Sequence, residues 1–315
     1  MTERPDDDGP TRRGIVSAFT VSARPKQWVK NLFVFGPLLF SHKMREPVVG
    51  LSALAGFALF CLASSAIYIL NDLMDLDADR QHPTKRHRPI ARGEIGRSTA
   101  ITVSGLLIVA ASLLSLWLSP VFTLLILAYM VLNVSYSLGL KHVVIIDVMM
   151  IGAGFVLRVL AGAAAIAVTP SPWLVLCTVL LSVFLGFTKR RAELTLLQEK
   201  ASDHRVVLDN YSLSFLDQMI SVVTATTLMC YILYTVDART VTTVTGGSRG
   251  LLLTVPIVMY GIFRYLYLVY HRQQGDSPTS ALLKDKMMML CVVTWVSLCM
   301  AVIYRPEYFM HWFTR

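Results

Sequence analysis

Four carboxylates and an amide crowd the ten residues Asn71–Arg80, reading NDLMDLDADR, directly after an apolar stretch. Oxygen donors of this kind ligate hard cations, and magnesium (Mg2+) takes one or two carboxylates together with phosphate oxygens of a substrate. If the helix of the apolar stretch runs on past Leu70, a step of about 100° per residue places Asn71, Asp72, Asp75 and Asp79 on one stripe. Like charges aligned in that way repel one another, and a bound cation offsets the repulsion. Asp77 falls about 200° from Asp75 and reads as a salt-bridge or loop-ordering residue. A charge run at a helix end is often simply solvated, but solvation does not select one stripe for an amide and three carboxylates.

The continuation HPTKRHRP is a loop, because Pro83 and Pro89 cannot sit inside a helix. Its Lys85, Arg86 and Arg88 are suited to phosphate; their alternative use is as anchors at the membrane surface. Lys189, Arg190 and Arg191, in TKRRAEL, offer the same choice, with the planar fork of arginine favouring phosphate. Lys26 and Lys30 lie one α-helical turn apart near the start of the first apolar stretch, where a helix N-terminus favours anions. Tyr136 and Lys141 form a YxxxxK pair where another stretch ends. Asp147 and Arg158 both lie inside one apolar stretch, about 20° apart around a helix and roughly 16 Å apart along it, so they cannot bridge each other. Each needs a partner elsewhere or a polar cavity. Asp147 is placed to touch substrate hydroxyls or to order a basic residue, and the deeper Arg158 reads as a structural partner or a cavity residue.

The elements that must position these groups are transmembrane helices. The chain has 315 residues, of which 55% are hydrophobic and 16% charged, and a mean hydropathy of +0.58. That composition excludes a soluble domain. Apolar stretches at 28–46, 50–70, 98–118, 120–138, 143–166, 172–188, 214–236, 250–270 and 287–304 predict an all-α polytopic protein with nine transmembrane helices. Gly36 and Pro37 interrupt the first. Residues 1–20 read as a flexible tail and 21–315 as a single domain. The polar N-terminus, apolar only from about Lys30, does not look like a cleavable signal.

A net charge of +9 could suggest a nucleic-acid partner, but its distribution argues for orientation in a lipid bilayer. Lys and Arg gather in the N-terminal segment and in the long loops 72–97 and 189–213, whereas the opposite turns carry few. This pattern predicts a cytoplasmic N-terminus and a cytoplasmic face for the acidic motif, in a cytoplasmic (inner) membrane. Cys61, Cys177, Cys230, Cys291 and Cys299 all fall in apolar stretches with no disulfide or zinc spacing. Gly152, Gly154 and Gly162 read as places of close helix packing.

Asn71, Asp72, Asp75 and Asp79 fill the NDxxDxxxD pattern that marks the UbiA superfamily of intramembrane transferases, and the chain resembles that superfamily over almost its whole length. Prenyltransferases of the superfamily usually carry a second acidic motif, DxxxD, after helix 6. Here Glu193, Glu199, Asp203 and Asp209 lack that spacing, and the basic KRR cluster stands in its place. ARPKQWVKN, which contains Asn31, the long motif Asn71–Ala91, YSLGLKHVVIID with its continuation to Arg158, KRRAEL and Tyr211 are similar to the branch that makes polyprenyl-phosphoryl phosphoribose, the decaprenyl-phosphate phosphoribosyltransferases.

The resemblance implies magnesium held by Asn71, Asp72, Asp75 and Asp79, with phosphoribosyl pyrophosphate as donor and a polyprenyl monophosphate as acceptor. The basic residues would position phosphates, and Glu193 and Tyr211 would order the second loop. Homo-oligomers are compatible with this reading. A prenyl transfer to an aromatic acceptor is the alternative, disfavoured by the missing DxxxD. A cation transporter would place its acids at the bilayer midplane on broken helices.

Overall fold

Apolar runs in this chain are long enough to cross a bilayer, and the computed structural model builds them as a helical bundle. It describes residues 14–82, 85–199, 210–271, 281 and 284–309, leaving aside the side chains of 196–199. No strand occurs among the described residues. Helix α1 (Ile15–Ala23) begins inside the segment expected to be a tail and buries Ala18 with Ile69, Ile90, Ile95 and Ala100.

Arg24, in left-handed backbone at φ 53° and ψ 60°, turns the chain into an 11-residue 3-10 helix, Pro25–Phe35, which α2 (Gly36–Leu39) continues. The expected first span therefore takes a different form. A 3-10 helix stacks residues i and i+3, and the sequence repeats inward-facing groups at that spacing. Against α3 (Pro47–Met74), Trp28 Nε1 donates to Ser65 Oγ (3.0 Å), Asn31 Nδ2 donates to Ser64 Oγ (3.1 Å), and Val34 is buried next to Gly56. At about 2 Å per residue, eleven residues stretch about 22 Å. The segment runs beside α3 from Ala23, whose carbonyl accepts from Ser65 Oγ, to Met44, whose N–H donates to Tyr304 Oη (3.3 Å).

After α4 (Leu76–Gln81) come α5 (Arg97–Ser115), α6 (Pro120–Leu138), α7 (Ile146–Ala165), α8 (Pro172–Glu199), α9 (Leu213–Val236), α10 (Ala238–Thr243), α11 (Val255–His271) and α12 (Lys286–Tyr304). Their starts are written locally. Proline opens α3, α6 and α8, where its missing N–H costs nothing. Ser119, Ser212 and Asp285 cap α6, α9 and α12 by accepting from Phe122, Phe215 and Met288 N–H groups at 2.9, 3.1 and 2.9 Å.

Eight helices among the described residues are long and apolar enough to cross a membrane: α3, α5 to α9, α11 with its lead-in from Gly250, and α12. Their bounds lie close to those expected, except in α8. That helix runs to Glu199 through a segment expected to be loop, because AELTLLQE contains strong helix formers and nothing that stops a helix. Lys189, Arg190, Arg191 and Glu193 are therefore helical residues. The rest of the expected loop, 200–209, lies outside the described residues.

Alternating helix directions bring the C-termini of α3, α6, α8 and α11 to one end of the bundle, together with the N-termini of α5, α7, α9 and α12. The core beneath that end joins α3, α6 and α7 around Phe60, Phe122, Ile126 and Tyr129. A second core joins α7, α8, α9 and α11 around Val148, Phe184, Leu216 and Leu268. Helix α7 serves both, and Gly162 is where the 3-10 segment presses onto it: a Cβ there would lie 2.0 Å from the Val34 carbonyl oxygen. Gly162→Ala should therefore destabilise the protein by about 3 kcal/mol. Gly105→Ala, in α5 with open space around it, should leave the thermal midpoint unchanged or raise it, and the pair of melts in detergent checks this.

Candidate functional site

The NDLMDLDADR stretch is not one continuous helix. Asp75, at φ −93° and ψ 11°, separates α3 from α4, although Asp75 N–H still reaches Asn71 O (2.9 Å) and Asp79 N–H still reaches Asp75 O (2.8 Å). The bend spreads the expected stripe over four partners. Asp72 and Asp79 are buried, at 2% and 3% exposed, and share one guanidinium: Arg88 Nη1 donates to Asp72 Oδ1 (3.0 Å) and to Asp79 Oδ2 (2.6 Å). Arg24 donates to the same Asp72 oxygen while its guanidinium lies 5.1 Å from the centre of the Tyr68 ring. Asp75 accepts from Lys141 Nζ (3.0 Å), and Asn71 Oδ1 accepts from Ser137 Oγ (2.9 Å). Asp77 is exposed and pairs only loosely with Arg80, at 3.8 Å.

The loop behind Arg88 is anchored. Ile90 and Ile95 are buried in the cluster that contains Ala18 and Ile69, and Glu94 N–H bonds to Pro89 O (2.9 Å). Lys85 and Arg86 are exposed on the same loop. Pro83 lies outside the described residues.

A second charged group sits where α6, α7, α8 and the start of α9 meet. Arg190 is fully buried. Its Nε donates to Asp147 Oδ2 (2.6 Å), its Nη1 to Glu193 Oε2 (2.5 Å) and its Nη2 to Tyr136 Oη (3.0 Å). Tyr211 Oη donates to the other Asp147 oxygen (2.8 Å) and accepts from Ile145 N–H (2.7 Å). Burial pushes the Tyr211 phenol up to about 12, so it remains a donor throughout the neutral range. Of the two roles open to Asp147, the geometry selects the ordering of a basic residue. Neither Asp147 nor Arg190 has exposed surface with which to touch a substrate, because the low-dielectric interior demands that each charge be matched within the protein. Tyr136 and Lys141 leave the same helix end for different partners, Arg190 and Asp75.

Arg158 finds no carboxylate among the described residues. Its Nε donates to Asn31 Oδ1 (2.8 Å), its Nη1 to Gly154 O (2.8 Å) and its Nη2 to Tyr129 Oη (2.9 Å), and its guanidinium lies 4.6 Å from the centre of the Tyr129 ring. Asn31 and Arg158 are both buried, so they tie the 3-10 segment to α7. Threefold winding also separates Lys26 from Lys30: residues four apart on a 3-10 helix point about 120° apart. Lys26 is exposed, whereas Lys30 is half-buried, makes no hydrogen bond or ion pair among the described residues, and feels Lys189, Arg158 and Arg24 as its charged neighbours. Lys189 itself pairs with Glu193 at 3.6 Å.

Sequence reasoning did not single out three further residues. Arg24 precedes Pro25, the only local hint of its turn. Ser137 holds Asn71. Asp217, an acid in the opening turns of α9, accepts from Arg191 Nε (2.6 Å) and from Tyr270 Oη (2.7 Å), with the Arg191 guanidinium 3.8 Å from the centre of the Tyr270 ring.

Among the described residues no three acidic, His or Cys side chains stand close enough together to hold a metal by themselves. Two do share a cation: the Asp72 and Asp79 oxygens flank a single Arg88 nitrogen. A hard oxygen pair spaced around one positive centre fits the one or two carboxylates that magnesium takes when substrate phosphates complete its shell.

Comparison with known proteins agrees with this fold. Residues 32–306 match the UbiA prenyltransferase family. The decaprenyl-phosphate phosphoribosyltransferase of Mycolicibacterium smegmatis is 31% identical over 96% of this chain and 98% of its own length. The protein of the same name from Mycobacterium tuberculosis is 31% identical over 90% of this chain and 93% of its own length. Among solved structures, a UbiA homologue from Archaeoglobus fulgidus bound to GPP and Mg2+ superposes with a TM-score of 0.68 at 15% identity, covering 91% of this chain and 99% of that one.

Removing one member of the Arg190 group leaves a buried charge unmatched. Asp147→Asn should cost about 3–5 kcal/mol, whereas Tyr211→Phe, which deletes a neutral donor, should cost about 1–2 kcal/mol. Thermal unfolding of the purified variants should rank them in that order.

Proposed function

The chain belongs to the UbiA prenyltransferase family, and from its site we propose that it transfers 5-phosphoribose from phosphoribosyl pyrophosphate to a polyprenyl monophosphate, releasing pyrophosphate. The observation that carries this reading is Lys30, which has no hydrogen-bond or ion-pair partner among the described residues and has three cations as charged neighbours, in a region joined to the Asp72 and Asp79 pair. Arg24 joins the two regions, since it bonds Asp72 and is also a charged neighbour of Lys30. A donor with a diphosphate at one end and a separate 5-phosphate at the other uses both. A prenyl diphosphate carries charge at one end only and would leave Lys30 without an anionic partner. The names of the relatives from Mycolicibacterium smegmatis and Mycobacterium tuberculosis support the same choice.

In this reading Asp72 and Asp79, with Asp75 beside them and Asn71 held by Ser137, would hold magnesium, which would supply positive charge to offset that of the departing pyrophosphate. Lys30 and Lys189 hold the 5-phosphate and so fix the ribose relative to the acidic residues. Lys85, Arg86 and Arg88 screen the diphosphate from the loop. The lipid phosphate is already ionised, so no general base is required. One of its oxygens bonds to the anomeric carbon as the bond to pyrophosphate breaks and its electron pair leaves with pyrophosphate. Arg190, Asp147, Glu193, Tyr136 and Tyr211 keep α7 and α8 in register behind the site rather than touching substrate. The acidic end faces the cytoplasm of an inner membrane, consistent with the concentration of Lys and Arg at that end.

Purified protein supplied with radiolabelled phosphoribosyl pyrophosphate, magnesium and a polyprenyl phosphate should place label in the extracted lipid. Label absent there, with product formed from a prenyl diphosphate and an aromatic acceptor, would assign the chain to prenyl transfer instead. Asp72→Asn should lower transfer by about a hundredfold or more. Lys30→Ala should raise the KM for the phosphoribosyl donor by about tenfold or more, leaving the KM for the lipid nearly unchanged.

A further inference from the structure

We propose that Arg88 and the divalent cation compete for the same Asp72 and Asp79 oxygens, and that the diphosphate of the donor resolves the competition by taking Arg88 as the cation enters. Arg88 is then a positioning residue that couples metal binding to donor binding. The inference deepens the metal-and-diphosphate reading of the site given above and rests on it.

The argument begins with Arg88 Nη1, at 3.0 Å from Asp72 Oδ1 and 2.6 Å from Asp79 Oδ2. Those distances put the two oxygens no more than 5.6 Å apart, around a positive centre. A magnesium-sized ion bonds oxygen at about 2.0–2.1 Å, so an ion that joins these two oxygens draws them to within about 4.2 Å of each other and takes the place of the guanidinium nitrogen between them. Two positive centres cannot share that position. The carboxylates also cannot turn away to solvent, because they are only 3% and 4% exposed.

Arg88, unlike Arg190, has somewhere to go. The Arg88 side chain is 28% exposed, whereas Arg190 has no exposed surface and three protein partners. The backbone around Arg88 is pinned by buried Ile90 and Ile95, by Arg88 N–H to Lys85 O (2.9 Å) and by Arg92 N–H to Arg88 O (3.0 Å). The side chain can therefore swing while the loop stays put. Once displaced, a guanidinium beside a diphosphate finds paired oxygens matched to its fork. Arg24 keeps a hold on Asp72 during the exchange, and its stacking near Tyr68 gives it a second anchor that Arg88 lacks. Metal alone must displace a charge-assisted bond at each carboxylate, whereas metal with diphosphate replaces those bonds with new ones. The site thus favours joint entry of metal and donor over metal by itself.

The test uses Mn2+ as a spectroscopic stand-in for magnesium and inorganic pyrophosphate in place of the donor, with the full chain in detergent and no turnover. Wild type should bind Mn2+ weakly alone and about tenfold more tightly with pyrophosphate, read as the excess Mn2+ on the protein side in equilibrium dialysis, quantified by paramagnetic resonance after acid release. Arg88→Gln should bind Mn2+ alone about tenfold more tightly than wild type and lose most of the gain from pyrophosphate. Equal or weaker Mn2+ binding by a folded Arg88→Gln overturns the exchange and leaves the metal site standing. Absence of Mn2+ binding in both proteins, even with pyrophosphate, removes the metal reading itself and the exchange with it. If Arg88→Gln fails to fold, phenylglyoxal labelling of wild type followed by mass spectrometry decides. Mn2+ without pyrophosphate should increase modification of Arg88, and an unchanged yield overturns the proposal.

Discussion

The ion pair between Arg190 and Asp147, with no exposed surface on either side chain, is the constraint on which the charged end of the bundle depends. A guanidinium in a low-dielectric interior is tolerable only with its donors satisfied and its charge matched. Asp147 opens α7, Arg190 lies in the outer part of α8, Tyr136 closes α6, and Tyr211 precedes α9. One cation therefore fixes the relative height and rotation of four helices, and with them the position of Lys189 and of Lys141, which reaches Asp75. The acidic motif is held at the far side of this assembly by Ser137 and Lys141, both from the end of α6 and the turn after it.

The 3-10 segment imposes a second constraint of a different kind. Eleven residues of 3-10 winding are a long run for a conformation with poorer hydrogen-bond geometry than an α-helix. Tertiary contacts hold it: Trp28 on Ser65, Asn31 between Ser64 and Arg158, and Val34 against the bare face of Gly162. The same winding sends Lys30 inward and Lys26 outward. Packing of the first crossing segment and exposure of a lone amine to the site are thus one structural fact. Arg158, matched by amide, carbonyl and phenol oxygens in place of an acid, is the element that joins this segment to the shared helix α7.

Several features were legible before any coordinates. Apolar runs bounded by prolines and capping residues mark helices α3, α5, α6, α7, α9, α11 and α12 to within a few residues, because span length is set by bilayer thickness and helix starts by side chains one or two positions away. The concentration of chemistry at one end was equally readable, since charges next to apolar spans must lie at a surface. Harder to read were the bend at Asp75 and the extension of α8. A bend depends on which partners the four motif side chains find, and Arg24, Arg88 and the pair Ser137 and Lys141 come from three separate places in the chain. The extension of α8 was obscured by the assumption that a charged stretch after a span must be loop.

Local composition and spacing, then, determined the family and the membrane-spanning architecture and picked out the candidates for holding metal and phosphate, because those follow from residue type and near-neighbour position. Tertiary structure alone decided which of those residues face the site. Arg190 and Asp147 cancel each other inside the protein, Arg158 is consumed in bracing the 3-10 segment, and Lys30 is left without a partner among the described residues. The physical reason is that an ionised group in a membrane protein takes its role from whichever partner reaches it first in three dimensions, and partners 43 or 127 residues away in the chain leave no mark on the local sequence.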